Sequence, residues 1–167
     1  ARGYQVFIVP AMGSHGGSNA AGQRATLAHY GVTEETMGVA IEASMDTVEA
    51  TTSGDIVVGC ATVAWQPDTL LFPIGRVKAH TNILAERTQS GLRKMLVIGF
   101  GKRKYAQSYH AVDGTNGLGP VIESVTETLI ATGRVLGGLA IVDGPNHGTH
   151  LLEAVAAEQF MSRAPEL

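Results

Sequence analysis

Short apolar runs, each about as long as a β-strand, recur along the chain between clusters of turn residues. The runs that predict buried or partly buried strands cover residues 4–9, 38–44, 69–74 and 136–143, and a last run begins at His150. Residues 47–58 predict two further strands, because Ser53-Gly54-Asp55 in their middle is typical of a hairpin turn. Pro73 has no backbone N–H to donate, so we expect it at the end of its strand.

Helical patterns lie between these runs. Residues 20–30 follow Ser18 and Asn19, either of which can cap a helix, and they are followed by Gly31. Residues 120–132 begin with a proline and are followed by a glycine, the usual order of signals at the two ends of a helix. Two more helices are predicted at residues 90–98 and 102–110, and a short helical turn at 61–66. Because strands and helices alternate, we expect an α/β fold with a mostly parallel, Rossmann-like sheet, flanking helices and one β-hairpin.

Length and composition indicate a single globular domain over residues 1–167, with 44% hydrophobic and 16% charged residues. No apolar run reaches the roughly 18 residues of a membrane span, so we expect no membrane partner. The only cysteine, Cys60, lies in the apolar run IVVGCATVAW, which favours a buried structural thiol and a cytoplasmic location. The chain begins without methionine, and we expect it to be part of a longer protein.

Positive charge is concentrated in one segment of a chain that is acidic as a whole. Eight of the 12 Lys and Arg residues fall between Arg76 and Lys104, where Glu86 is the only acid, so this segment has a net charge of +7. Like charges repel in a compact chain, so they need a partner: a small anionic ligand, nucleic acid, or acidic residues elsewhere on the protein. Aromatic residues are only 5% of the chain, which argues against a nucleic-acid partner.

Two histidines follow predicted strands and could meet in one crevice. His15 lies in a glycine-rich loop after the first run, and His80 follows the run at 69–74. Open α/β sheets bind ligands at the ends of their strands. Two imidazoles on opposite sides of a carbon atom can remove and return a proton, as a racemisation requires. The alternatives are a loop histidine bonded to its own backbone and a pair of unrelated surface histidines.

Lys94 and His110 are the other candidates for chemistry. If residues 90–98 are helical, Lys94 lies next to the apolar face that Leu92 and Leu96 form, where partial desolvation would make its amine a nucleophile. A surface lysine with its stem along the protein and its ammonium group in water is the alternative. His110 lacks the cysteines or the HExxH pattern of a zinc site, so a metal here would need ligands from outside the protein.

Five motifs, taken together and in this order, resemble the nickel-dependent lactate racemase family, and most closely its uncharacterised homologues. The motifs are Pro10-Ala11-Met12-Gly13-Ser14-His15-Gly16-Gly17, Arg76-Val77-Lys78-Ala79-His80-Thr81, Ser90-Gly91-Leu92-Arg93-Lys94-Met95-Leu96, Gly101-Lys102-Arg103-Lys104 and Ala106-Gln107-Ser108-Tyr109-His110. The resemblance covers nearly the whole chain. Each motif is weak alone, whereas the five jointly are specific.

The resemblance implies a nickel-pincer nucleotide, a pyridinium mononucleotide that holds nickel through a ring carbon and two sulfur-bearing arms, together with one histidine. By motif position, Lys94 would tether one arm of this cofactor and His110 would bind the nickel. Lys78, Ser90 and Gly91 would contact the cofactor. The positive segment would then serve the cofactor phosphate and the substrate carboxylate.

In the implied reaction, His15 and His80 form the acid–base pair. One histidine takes the hydroxyl proton of a 2-hydroxy acid while the hydride on C2 passes to the cofactor, and the flat keto acid then accepts hydride on its other face. The implied partners are the 2-hydroxy acid, the enzymes that synthesise the cofactor, and a second domain of the same chain. Without that second domain we expect this domain to be inactive.

The second motif departs from the pattern of the homologues. Ala79 stands where they usually have proline, and Ile83-Leu84-Ala85 replaces their aromatic-Arg-Gly run. These positions would contact the substrate, so the identity of the hydroxy acid stays open. A different function also stays open, namely a non-catalytic domain that binds a phosphorylated or carboxylated small molecule.

Overall fold

The computed structural model describes residues 3–77, 91–112, 117–144, 148–163 and 166–167. Strands β1 (Thr47–Ser53) and β2 (Ile56–Ala61) form an antiparallel hairpin with its turn at Gly54 and Asp55. Gly54 has a φ of 57°, a conformation that residues with a side chain rarely adopt. The hairpin predicted around these turn residues is confirmed.

A second sheet contains three strands and is mixed. Strand β3 (Ile74–Val77) pairs in parallel with β4 (Gly137–Asp143), and β4 pairs antiparallel with β5 (Thr149–Ala156). The strands predicted at 136–143 and from His150 are confirmed, and so is the α/β class. One of the two strand pairs in this sheet is antiparallel, so the described strands do not establish a mostly parallel, Rossmann-like sheet.

The two strands predicted at residues 4–9 and 38–44 are reduced to a single parallel bridge between Ile8 and Ile41. Backbone hydrogen bonds of 2.8 and 2.7 Å flank this bridge. Tyr4 is 65% exposed, so the prediction of a buried strand is wrong at its start. The physical reason is that a strand needs a neighbouring strand to satisfy its backbone, and this run pairs at only one position among the described residues.

The strand predicted at 69–74 begins later than expected. Strand β3 starts at Ile74, directly after Pro73, and only a bridge between Leu71 and Val135 extends the parallel pairing upstream. The carbonyl of Pro73 still accepts a hydrogen bond of 2.9 Å from β4. Because proline has no N–H to contribute to the ladder, it precedes the strand instead of ending it.

The helices lie close to their predicted positions. Asn19 caps the first helix, since its side chain accepts a 2.8 Å hydrogen bond from the amide of Gly22. A short helix after Thr33, closed by a capping box with Thr36, was not predicted. Residues 90–98 were predicted as one helix, but only three residues are α-helical before a π-helical turn follows. The helical segments are α1 (Ala20–His29), α2 (Glu34–Met37), α3 (Leu92–Lys94), the π-helical turn (Met95–Gly99), α4 (Lys102–Val112) and α5 (Leu118–Ala131), with short 3₁₀ turns at Gly16–Ser18, Thr62–Ala64 and Ala157–Gln159.

In the described part of the chain, helices cover one face of the three-stranded sheet. That face carries Val77, Ala140 and Val155, which pack in the core with helical residues including Leu92, Leu96, Ile122, Val125 and Leu129. On the opposite face, Ile74 and Leu152 are 54% and 59% exposed. No helix within the described ranges is both long enough and apolar enough to cross a membrane.

Candidate functional site

The loop that carries His15 runs from Pro10 to the cap of α1. Gly16 and Gly17 have φ values of 66° and 67°, which favour glycine, and a Cβ atom on Gly16 would lie only 2.9 Å from the amide nitrogen of Gln23. The amide of Ser18 donates to the carbonyl of His15 at 3.4 Å, and its hydroxyl donates to the carbonyl of Ser14 at 2.8 Å. His15 itself is exposed to solvent. We call residues 10–18 the His15 loop.

The His15 loop packs against the turn between the π-helical segment and α4. The amide of Gly13 donates to the carbonyl of Gly99 at 3.2 Å. A Cβ atom on Gly99 would lie 2.5 Å from the carbonyl oxygen of Ala11, so only glycine permits this approach. The loop is therefore fixed to the helical segment that joins Lys94 to His110, and π-helical turns of this kind often occur at functional sites.

A buried lysine connects this turn to the His15 loop. Lys102 is the first residue of α4, has a φ of 53°, and is 0% exposed. Its Nζ donates to the carbonyl of Pro10 at 2.8 Å and to Oε1 of Gln23 at 3.0 Å. Gln23, also 0% exposed, donates from Nε2 to the carbonyls of Gly13 at 3.1 Å and His15 at 3.2 Å. Burial lowers the pKa of Lys102 to about 8.

Neither Lys102 nor Gln23 was among the sequence-predicted site residues. Lys102 stands in a run of basic residues, for which a solvated surface is the ordinary interpretation. The signal that could have identified it is helical spacing. Lys102 precedes Tyr105, Ala106 and Tyr109 at the intervals of one helix face, and these three residues are buried.

A cleft of about 510 Å³ lies between the His15 loop and α4. Arg103 and Lys104 form no ion pair with any described residue, and Lys104 Nζ lies 4.9 Å from the centre of the Tyr105 ring. Two cations, two hydroxyl groups and an amide give the cleft the chemistry to bind a small anion. The lining residues are Ser18, Met45, Arg103, Lys104, Gln107 and Ser108.

His110 lies on α4 next to the residues that line the cleft, without lining it itself. With about 3.6 residues per turn, Arg103, Gln107 and His110 occupy positions i, i+4 and i+7 of one helical stripe. His110 is exposed, one turn beyond Gln107. Ser18 of the His15 loop and four residues of α4 therefore line one cleft, whose lining includes neither His15 nor His110.

Lys94 and Gly91 occupy a different environment, between the helices and the sheet. Gly91 precedes α3 and packs over β3, where an added Cβ atom would lie 3.4 Å from the Val77 side chain. Lys94 ends α3 and is half-buried, and neither residue lines the cleft. Lys78, His80 and Ser90 lie outside the described residues, so the pairing of His15 with His80 stays a prediction.

Acidic residues elsewhere on the protein neutralise part of the positive segment. Arg93, only 3% exposed, lies 3.6 Å from the carboxylate of Glu123 on α5, and Arg76 lies 3.2 Å from that of Asp143 on β4. For these two arginines, the partner is an acidic residue elsewhere on the protein, which is one of the three kinds of partner that the charge pattern left open. The cations that face the cleft are a separate pair.

Cys60 is a structural thiol, as the sequence predicted. It is 1% exposed in strand β2, and burial raises its pKa to about 12. At neutral pH the nucleophilic thiolate is therefore absent.

Among the residues that the structure describes, no three His, Cys, Asp or Glu side chains come together as a metal site. No family model matches the chain, and no curated protein matches it.

Proposed function

We propose that the chain is the cofactor-carrying domain of a 2-hydroxy-acid racemase or epimerase that uses a nickel-pincer nucleotide. The observation that carries the proposal is the packing of the His15 loop against the start of α4, the helix that bears His110, where Lys102 Nζ donates to the carbonyl of Pro10 at 2.8 Å. A proton-transfer group and a metal-binding imidazole must act on one substrate, so the elements that carry them have to meet. Here they meet although His15 and His110 are far apart in the sequence.

The donors of the described residues fit such a cofactor. A group that brings its own carbon and sulfur ligands requires one imidazole and one amine from the protein, and His110 on α4 and Lys94 at the end of α3, away from the cleft, are of these types. When bound, the cofactor would supply an acceptor for the hydride on the substrate carbon. Lys94 would hold it through a covalent bond to Nζ, and His110 would bind the metal through a ring nitrogen.

The residues of the chain would bind the substrate and move its proton. His15, exposed on a loop with fixed turns, accepts the hydroxyl proton of the substrate and returns it. His80 has the same role on the opposite face of the substrate carbon. Arg103 and Lys104 bind the carboxylate or phosphate through charge-assisted hydrogen bonds, and neither has an ion-pair partner among the described residues. Lys78, Ser90 and Gly91 would be further contacts of the cofactor.

Nickel content after co-expression with the cofactor-synthesis enzymes tests this proposal. We expect His110→Ala to lose nickel, because the variant lacks the imidazole that binds it. His29→Ala is the matched control, since His29 is an exposed histidine of α1 whose ring contacts only Tyr30 among the aromatic residues described. This control should retain nickel, and His15→Ala should retain it as well. Equal nickel in the His110 variant and the wild type would contradict the proposal.

The second candidate function is a non-catalytic domain that binds a phosphorylated or carboxylated small molecule. The two cleft cations favour it, because they suit an anion whether or not a metal is present. The same co-expression separates the two functions. A wild-type chain that stays free of nickel, yet binds a phosphomonoester more tightly than Arg103→Ala does, would be such a binding domain.

A further inference from the structure

Two fully buried side chains connect three parts of the fold beneath the His15 loop. Lys102 belongs to α4 and Gln23 to α1, and each is 0% exposed. Gln23 is the only buried residue of α1. Its partners lie on both sides of the loop apex, because Nε2 donates to the carbonyls of Gly13 at 3.1 Å and His15 at 3.2 Å.

The orientation of the Gln23 amide is determined by Lys102. As an ammonium group, Lys102 Nζ can only donate, and it lies 3.0 Å from Oε1 of Gln23. A flipped amide would place its NH₂ group against this donor and its oxygen against two carbonyl oxygens, which would exchange three favourable contacts for three repulsive ones. Nε2 is therefore held towards the loop, and Lys102 acts on the loop through Gln23 as well as directly through Pro10.

The loop requires hydrogen bonds to the helices because its glycine-rich backbone can adopt many conformations. Gly13, Gly16 and Gly17 all have positive φ values, and glycine has more backbone conformations to choose from than any other residue. The hydrogen bonds within the loop join neighbours in sequence, such as the amide of His15 with the carbonyl of Met12 at 3.0 Å. They close local turns, whereas the contacts with Gln23 and Gly99 fix the loop to the helices.

We propose that Gln23 and Lys102 are positioning residues, which set the place of His15 by holding the backbone carbonyls at Gly13 and at His15 itself. The role of His15 in chemistry rests on the proposed function, but the control of the loop by these two buried residues does not. Neither residue touches the cleft, so both act through the backbone of the loop.

Gln23→Glu separates this role from general packing. The carboxylate has nearly the same shape and still accepts from Lys102, but it has no N–H for the carbonyls of Gly13 and His15. We expect amide hydrogen exchange in residues 13–18 of the variant to be about 5- to 30-fold faster, as for the loss of one or two hydrogen bonds. Exchange in β4 and β5, which pair with each other and, through β4, with β3, should be unchanged. Gln66→Glu is the matched control, because the amide of Gln66 makes one exposed backbone contact, with Thr62.

Chemical rescue gives a second and independent readout. Lys102→Ala should also speed amide hydrogen exchange in residues 13–18. Added n-propylamine, which replaces the three carbons and the amine that the substitution removes, should slow this exchange again. Tetramethylammonium at the same ionic strength should not, because it has no N–H to donate. Wild-type protection in Gln23→Glu would overturn the proposal, and so would a loosened Lys102→Ala loop that the amine does not restore. Both measurements use the protein without cofactor, so their failure is distinguishable from a failure of the nickel experiment.

Discussion

Lys102 combines a buried amine with two well-placed acceptors, the carbonyl of Pro10 and Oε1 of Gln23. A neutral amine has two N–H groups, so both hydrogen bonds can persist when the ammonium group loses its proton. Burial lowers the pKa of Lys102 to about 8, which means that the folded protein disfavours the charged form. The residue can therefore hold the His15 loop with or without its charge.

We expect Lys102→Met to change how stability depends on pH. The ordinary pKa of lysine is 10.5 and the folded value is about 8, so between these values the unfolded chain binds more protons than the folded one. Linkage then makes the wild type gain stability as pH rises through this window, by up to about 1.4 kcal/mol per pH unit. The variant lacks this gain.

Urea unfolding at several pH values checks this expectation. The difference in free energy of unfolding between the wild type and Lys102→Met should grow in favour of the wild type across the window. Groups that titrate alike in both proteins contribute equally to the two free energies of unfolding, so their contributions cancel in the difference. Lys104→Met is the control, because it removes an exposed lysine two residues further along α4 instead of the buried one. A constant difference between the wild type and Lys102→Met would show that the lysine is not perturbed by burial.

At the scale of elements, the His15 loop and the π-helical turn pack backbone to backbone. Gly99→Ala would place a methyl group 2.5 Å from the carbonyl oxygen of Ala11, so the loop or the turn has to shift. We expect a loss of about 1–3 kcal/mol in free energy of unfolding, as for other overpacked sites. Gly148→Ala is the matched control, since an added Cβ there meets no atom of the described residues within 4 Å, and it should change stability by less than about 0.5 kcal/mol. Equal stability of the two variants would show that the close approach is not essential.

Elements with local signals were predictable from the sequence, and elements that depend on a distant partner were not. Asn19 and Gly31 mark the ends of α1, and the turn at Gly54 determines the hairpin, so both were placed correctly. The run at residues 4–9 has the composition of a buried strand, but whether it becomes one depends on a neighbour that composition does not reveal. The π-helical turn likewise could not be predicted from its local sequence, because it packs at Gly99 against Ala11, which is distant in the sequence.

At the scale of the whole molecule, the class of fold was predictable and the arrangement of the sheet was not. Alternating strands and helices indicate α/β, whereas the antiparallel addition of β5 to β4 follows from the chain path after Asp143. The candidate site, like the sheet, was predictable only in part. His15 and His110 were candidates from motif positions, but the hydrogen bonds of Lys102 that fix the loop span 92 and 79 residues, a distance over which no periodicity operates.

The most direct test of the nickel-cofactor proposal is the intact mass of the protein after co-expression with the cofactor-synthesis enzymes, followed by peptide mapping. We expect a mass increase of the size of a modified mononucleotide, located on Lys94 and accompanied by about one nickel per chain. The increase should be absent from Lys94→Ala and present in His29→Ala, which removes an exposed side chain of α1 outside the cleft instead. An unmodified wild-type mass under conditions that load a known nickel-pincer enzyme, or an adduct that persists in Lys94→Ala, would contradict the account.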